Sequence, residues 1–403
     1  MAGAAGTGAT RCRPRSLPHV PRLADVVAVL DELYDPRSAE PWDAIGLVCG
    51  DPEADVSTIL YAVDPVPVVV DEAISVGADL LVTHHPLFLR PVHGVAATTP
   101  KGRVVHRLLT AGIALHVVHT NADIARPGVS DALGEALSLR DLSPIDAAPG
   151  PAMDKVVTFV PQAAASAVVD ALTAAGAGKI GDYERCSWTT AGIGSFRPLI
   201  GAQPTIGSVG SIEQVPEVRV EMVLPRRRRM DVVAALRSAH PYEEAAFDVY
   251  ELATLPGPRG LGRVGQLEEA QPLASFARSV AGALPATAAG IRIAGDLDAE
   301  VRTVAVCGGA GDSLLDAVRA HGADCYVTAD LRHHPASEAL QQGGAPALVD
   351  AAHWATEWPW LRDAANRVES KLRAAGTTVE ARVSQIDTDP WTLQISTPTR
   401  SPS

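Results

Sequence analysis

Basic residues are in deficit. The chain carries 34 Lys and Arg against 47 Asp and Glu, a formal net charge of −13. A nonspecific nucleic-acid binder needs the opposite, an excess of cations along one face, so that class is disfavoured. An anionic substrate would need local help from metal ions or a helix terminus. Cysteine is scarce too: Cys12, Cys49, Cys186, Cys307 and Cys325 show no CxxC spacing, which argues for reduced thiols in a cytoplasmic protein. No apolar run approaches membrane-spanning length, and the charged N-terminus lacks the apolar core of a signal peptide.

What is present is a set of strand ends bearing histidines and carboxylates. Leu80-Leu81-Val82-Thr83 is apolar on both faces, as in a parallel sheet covered by helices, and such sheets place ligands at the carboxyl ends of their strands. His84 and His85 sit at that end, followed by Pro86. Adjacent residues leaving a strand diverge, so two ions side by side suit this pair better than one. The competing reading of an isolated His-His is a helix cap or a surface pair. Ala114 to Val118 repeats the design and leads to His119 and Asp123, and Ala347 to Asp350 leads to His353 and Glu357. Neutral imidazole with carboxylate suits zinc, iron or manganese, and Glu357 has the chemistry to bridge two cations.

Five segments carry a family resemblance: Trp42-Asp43-Ala44-Ile45-Gly46-Leu47 with Gly50-Asp51, Thr83 to Pro86, His119 to Asp123, His240-Pro241-Tyr242-Glu243-Glu244, and His353 to Glu357. Over roughly residues 20 to 390 the chain resembles the NGG-interacting-factor-three-like family, also called GTP cyclohydrolase type 2 homologues. The resemblance implies a toroidal homohexamer with a dinuclear metal centre in each subunit. It also implies His84, His85, Asp123, His353 and Glu357 as metal ligands, with His119 at or beside the site. Two departures from the family pattern, Ala44 in place of Asn and Ala329 in place of Gly, bear on substrate contacts more than on metal binding.

At 403 residues the chain has room for two or three domains. Residues 1–20 are rich in Ala, Gly, Arg and Pro and read as disordered. From Val56 the pattern alternates strand and helix, which implies a parallel sheet. A shift of 245 aligns Val56 with Val301, Thr58 with Thr303, and Gly77-Ala78-Asp79 with Gly322-Ala323-Asp324. Residues 21–148 and 270–390 therefore read as two halves of one α/β domain of strand-helix repeats around a shared sheet. Ala147 to Pro151 reads as a linker. Residues 153–265 read as a ferredoxin-like inserted domain, which the resemblance makes PII-like. Within the insert, the run Arg226 to Arg229 reads as a solvated helix start rather than a phosphate grip, and His240 to Glu244 as a turn before a strand, with an approach to the metals across an oligomer interface as the alternative. The tail from 391 to 403 reads as mobile.

Gly308-Gly309-Ala310-Gly311 reads as a glycine-rich turn whose backbone N–H groups could hold an anion, without the ending of a full P-loop. Asp330 and His334 follow the next strand. The resemblance sets them at the border of the cavity, while helix capping is the competing use. Thr356 is expected to cap a helix that begins at Glu357.

Two divalent ions with open positions would activate water, so the expected reaction class is hydrolysis of a small molecule. The family name points to ring opening of a guanine nucleotide. His119 or His334 is the candidate for proton transfer. A metal-binding regulatory or assembly protein without turnover is the alternative.

Overall fold

The computed structural model describes residues 20–395. The N-terminal residues 1–19 and the end of the tail, 396–403, lie outside the described residues. The chain divides into two compact units, Ala148–Gly257 and the remainder on either side of it.

In the larger unit, every residue of the strand Leu80–Thr83 is buried. It sits in the middle of a five-stranded sheet, in the order Gly46–Cys49, Ala114–Val117, Leu80–Thr83, Thr58–Ala62, Glu380–Val383. All of these are parallel except the antiparallel edge strand Gly46–Cys49. A second, six-stranded sheet has the order Arg292–Ala294, Ala347–Ala351, Cys325–Ala329, Glu300–Ala310, Pro256–Pro272, Arg140–Pro149. Its three repeat strands are parallel and are flanked by antiparallel neighbours.

The expectation of one shared sheet is therefore corrected to two sheets that exchange strands. Glu380–Val383, from the last part of the chain, pairs with Thr58–Ala62. Arg140–Pro149, from the first part, ends the second sheet and takes up most of the expected linker. Pro149 is tolerated there because an edge strand can spare an N–H.

The internal repeat is visible atom by atom. The Asp79 carboxylate accepts the backbone N–H groups of Ser57 and Thr58, and the Asp324 carboxylate accepts those of Arg302 and Thr303. In each copy the aspartate's own N–H donates to the carbonyl of the threonine, Thr58 or Thr303.

Between the sheets runs the helix His353–Ala374, whose buried stripe is Trp360, Leu361, Ala364, Ala365, Val368 and Leu372. This stripe joins one apolar core with Ile59 and Tyr61 of the first sheet and Val304, Val306 and Val327 of the second. The helix starts one turn earlier than expected. Ala352 is its N-cap, Thr356 N–H already donates to the Ala352 carbonyl, and the Thr356 hydroxyl bonds back to His353 O at 2.7 Å. His353 and Glu357 thus lie one turn apart on one helical face, and Pro359 lies inside the helix.

The smaller unit is ferredoxin-like. Its antiparallel sheet has the order Trp188–Phe196, Glu213–Pro225, Met153–Pro161, Phe247–Glu251. The helices Ala165–Ala174 and Arg229–Ala239 share its core with Val156, Val160, Val220 and Met222. The arginine run is partly neutralised here: Arg226 and Arg229 both donate to the buried Asp154 carboxylate, at 3.0 and 2.7 Å.

Candidate metal centre

The parallel strands bring their carboxyl ends together, and each end delivers side chains. His84 and His85 leave Leu80–Thr83, with their N–H groups held by the Ala62 and Val63 carbonyls. His119 follows Ala114–Val117 and caps the short helix Thr120–Ile124, which carries Asp123. His353 and Glu357 follow Ala347–Ala351 on the long helix.

Glu357 is the hub. Its Oε1 lies 3.0 Å from His353 Nε2 and 3.4 Å from His84 Nε2, and its Oε2 lies 3.1 Å from His85 Nε2. Asp123 Oδ1 approaches His84 Nε2 at 3.7 Å. Two overlapping groups, His84/His85/His119 and His85/His353/Glu357, have donor atoms close enough to hold an ion. His84 Nε2 and Glu357 Oε2 are buried without a hydrogen-bond partner. Orphaned atoms of this kind, among imidazole and carboxylate ligands suited to zinc, iron or manganese, fit a divalent cation.

Every imidazole is oriented from behind. The Nδ1–H of His84 donates to the Val118 carbonyl at 2.9 Å, that of His85 to Asp64 at 2.8 Å, that of His119 to Asp43 at 2.8 Å and that of His353 to Asp330 at 2.7 Å. Such partners fix the tautomer with a bare Nε2. Asp43 also accepts from the Thr120 N–H and hydroxyl. Burial pushes the Asp43 carboxyl up, but the hydrogen bonds from His119 and Thr120 outweigh it and hold the group well below the usual carboxylate range.

The imidazoles and the carboxylate at the cluster's centre each stabilise the other's charged form. Burial lowers the imidazole pKa of His85 and His353, yet the Glu357 carboxylate and the acids behind them overcome this and raise the two to about 10 and about 11. Glu357 itself is pushed up by burial and pulled further down by His85, His353 and His84. Burial raises Asp123.

The glycine segment has a different use from the anion cradle expected of it. Gly308 and Gly309 lie in the strand Glu300–Ala310, and their N–H groups donate to Ser130 Oγ and Thr356 Oγ1 at 3.3 and 2.9 Å. Their value is thinness: a Cβ on Gly309 would lie 2.5 Å from Glu357 Oε1 and 3.1 Å from His353 Nε2. Asp330 orients His353 from a left-handed backbone conformation, φ 55°. His334 is exposed on the helix His333–Leu340, stacked edge-on with His333, and is not among the residues grouped around Glu357.

Sequence reasoning passed over Asp64 and used Asp43 only as part of a segment matching the family. Asp64 stands two residues beyond the strand Thr58–Ala62, so the strand-end rule that located the histidines also points to it. Beside His353 opens a cavity of about 370 Å³, walled by Arg292, Asp330, Asp350, Asp389 and Trp391. Residues of the expected mobile tail therefore form part of its rim.

A model of the Duf34/NIF3 (NGG1p interacting factor 3) family matches residues 21–390. A Mycobacterium tuberculosis protein named GTP cyclohydrolase 1 type 2 homolog is 52% identical over 377 residues, covering 93% of this chain and 98% of the relative. A Bacillus subtilis protein of the same name is 37% identical, over 90% and 96%. Among solved structures, a Bacillus cereus protein related to NIF3 superposes with a TM-score of 0.74 at 35% identity, covering 93% of this chain and all of the other.

Proposed function

The chain belongs to the Duf34/NIF3 (NGG1p interacting factor 3) family, and from that premise we propose that it is a metal-dependent hydrolase. It holds two divalent ions, zinc, iron or manganese, on His84, His85, Asp123, His353 and Glu357, with His119 at the site's edge. The observation that carries this reading is the set of three imidazoles, His84, His85 and His353, each held at Nδ1 so that Nε2 is free for a metal beside the buried Glu357 carboxylate. Two overlapping donor groups that share His85 support two ions rather than one.

Ions bound there supply Lewis-acid activation of water and of a substrate oxygen. The chain's own contributions are separate. Glu357, between the imidazoles, keeps its charge where the ions would share it. His119, fixed by Asp43, accepts or returns a proton at Nε2. The cavity beside His353 receives a small molecule, with Asp330 and Asp389 as acceptors and Trp391 as a flat wall.

The relatives' name makes a guanine nucleotide the first substrate to test, with attack on the imidazole carbon, ring opening and release of formate. Self-assembly into a toroidal homohexamer belongs to the same proposal. A second reading, a metal-binding regulatory or assembly protein without turnover, draws on the occupied N–H groups of Gly308 and Gly309, which leave a triphosphate no backbone cradle at that segment.

Elemental analysis of the wild-type chain, His84→Ala and Glu357→Ala, with a hydrolysis screen over nucleotides and phosphate esters, separates the readings. About two metal equivalents and a turnover, both lost in the variants, establish the hydrolase. Metal without turnover favours the regulatory reading, and less than one equivalent overturns the site.

A further inference from the structure

The motif His240-Pro241-Tyr242-Glu243-Glu244 contributes to neither of the two metal-donor groups, yet it forms one wall of a cavity of about 650 Å³ in the Ala148–Gly257 unit. The cavity opens on the sheet face opposite the helices. Val156, Val160, Val220 and Met222 point into the helix-covered core, whereas the alternate residues Phe159, Glu217 and Arg219 line the cavity. The rest of the lining is mainly apolar and includes Ile193, Phe196 and Ile206. Its size lies within the roughly 300–1,000 Å³ typical of small-molecule sites.

The motif is pinned in place by its histidine. His240 Nε2–H donates to the Phe159 carbonyl at 2.9 Å, and its Nδ1 accepts the Tyr242 N–H at 3.1 Å. Opposite, the arm after Phe196 is tied to the turn. Gln203 N–H donates to Glu243 Oε2 at 2.8 Å, and the Thr205 hydroxyl donates to the Pro241 carbonyl at 2.8 Å. Both walls of the cavity are thus held by hydrogen bonds.

Its charge is one-sided. Glu217, Glu243 and Glu244 face Arg219 alone, and Arg219 is already engaged: its Nε donates to Glu221 Oε1 at 2.8 Å and its guanidinium lies 5.7 Å from the Phe159 ring centre. Glu217 Oε1 accepts the Tyr242 hydroxyl at 2.9 Å. Its Oε2 lies over Gly194, where an added Cβ would stand 2.0 Å away. Three carboxylates in an otherwise mainly apolar lining match an ammonium group, which brings three donors and no acceptor.

We propose that this cavity binds a small amphipathic amine, its apolar body against Phe159, Ile193 and Phe196 and its ammonium at Glu217 and Glu243. The proposal is independent of the metal centre and of any turnover there.

The test is calorimetric titration of the full chain with 4-phenylbutylamine and with its charge-reversed counterpart 5-phenylpentanoate. The amine is expected to bind saturably, one per chain, at least tenfold tighter than the carboxylate. Glu217→Gln should weaken it at least tenfold, whereas the exposed Glu184→Gln should leave it unchanged. Gly194→Ala, which keeps every charge but displaces the Glu217 carboxylate, is the second variant and should also weaken binding. Equal affinity for the two probes overturns the proposal, as does binding that survives both Glu217→Gln and Gly194→Ala. Absence of saturable amine binding also overturns it, and a lower sedimenting mass of Ile193→Ser would then assign the hollow to a contact between copies.

Discussion

Replacing Gly309 by alanine separates backbone strain from the contact that strain accompanies. Gly309 has φ 69°, a left-handed conformation that costs an L-residue roughly 1–2 kcal/mol, and an added Cβ would lie 2.5 Å from Glu357 Oε1. Gly322 has nearly the same φ, 66°, with nothing within 4 Å of the added atom. Gly322→Ala therefore carries the strain alone. Both variants should melt lower, by about 2–8 °C if each kcal/mol lowers Tm by about 2–4 °C in a unit of this size. Only Gly309→Ala moves the carboxylate that three histidines face, so only it should bind zinc more weakly. Disturbing the support of a metal ligand costs about 10–100-fold in affinity, and a loss of that order is expected here. Equilibrium dialysis against zinc followed by elemental analysis reads it directly. If Gly309→Ala loads zinc as tightly as Gly322→Ala, Glu357 is not a ligand and the site must be redrawn.

Other perturbations test neighbouring parts of the argument. Asp330→Asn removes the anionic acceptor that orients His353 and should lower metal affinity about 10–100-fold with little change in melting temperature, as measured by competition with a chelating dye. In chelator-treated protein the histidine cluster should set a pH dependence of stability. His85 and His353 are raised from 6.5 to about 10 and about 11, so their contribution is full below 6.5 and is lost as pH rises through those values. Glu357 is depressed below 4.5, so its contribution is present above 4.5 and is lost as pH falls. Denaturant titrations of chelator-treated protein should therefore show stability falling on the alkaline side, and a flat profile from pH 6.5 to 10 would refute the assignment. Asp131→Asn should cost about 3–5 kcal/mol in the same assay, because it strips the counter-charge, 2.7 Å away, from the fully buried Arg263.

The sequence made some of these features legible and hid others for physical reasons. Strands buried on both faces read as near-continuous apolar runs, so Leu80–Thr83, Ala114–Val117 and Ala347–Ala351 could be placed from residues alone, together with the histidines that follow them. The repeat at 245 residues was legible because both copies need the same aspartate to hold the start of the neighbouring strand, Asp79 in one and Asp324 in the other. The division into two sheets was not, since exchanged edge strands such as Arg140–Pro149 carry no signal of which sheet they join. The start of the long helix was misplaced by one turn because Thr356 looks like a cap. Its hydroxyl instead bonds backward to His353 and accepts the Gly309 N–H, a use set by tertiary contact. Asp43 and Asp64 escaped because a carboxylate acting through a histidine has no fixed spacing from it.

The exchanged strand has a consequence for the order in which the chain becomes a protein. Glu380 is registered against Thr58, so the first sheet lacks its fifth strand until residues 380–383 have left the ribosome. The Ala148–Gly257 unit is contiguous and can close on itself while that sheet still waits. Until then Thr58–Ala62 presents a bare edge, the kind of surface that recruits stray strands. A nascent chain stalled before residue 380 should be more open to proteolysis in residues 20–147 than in the insert, even though the insert is made later.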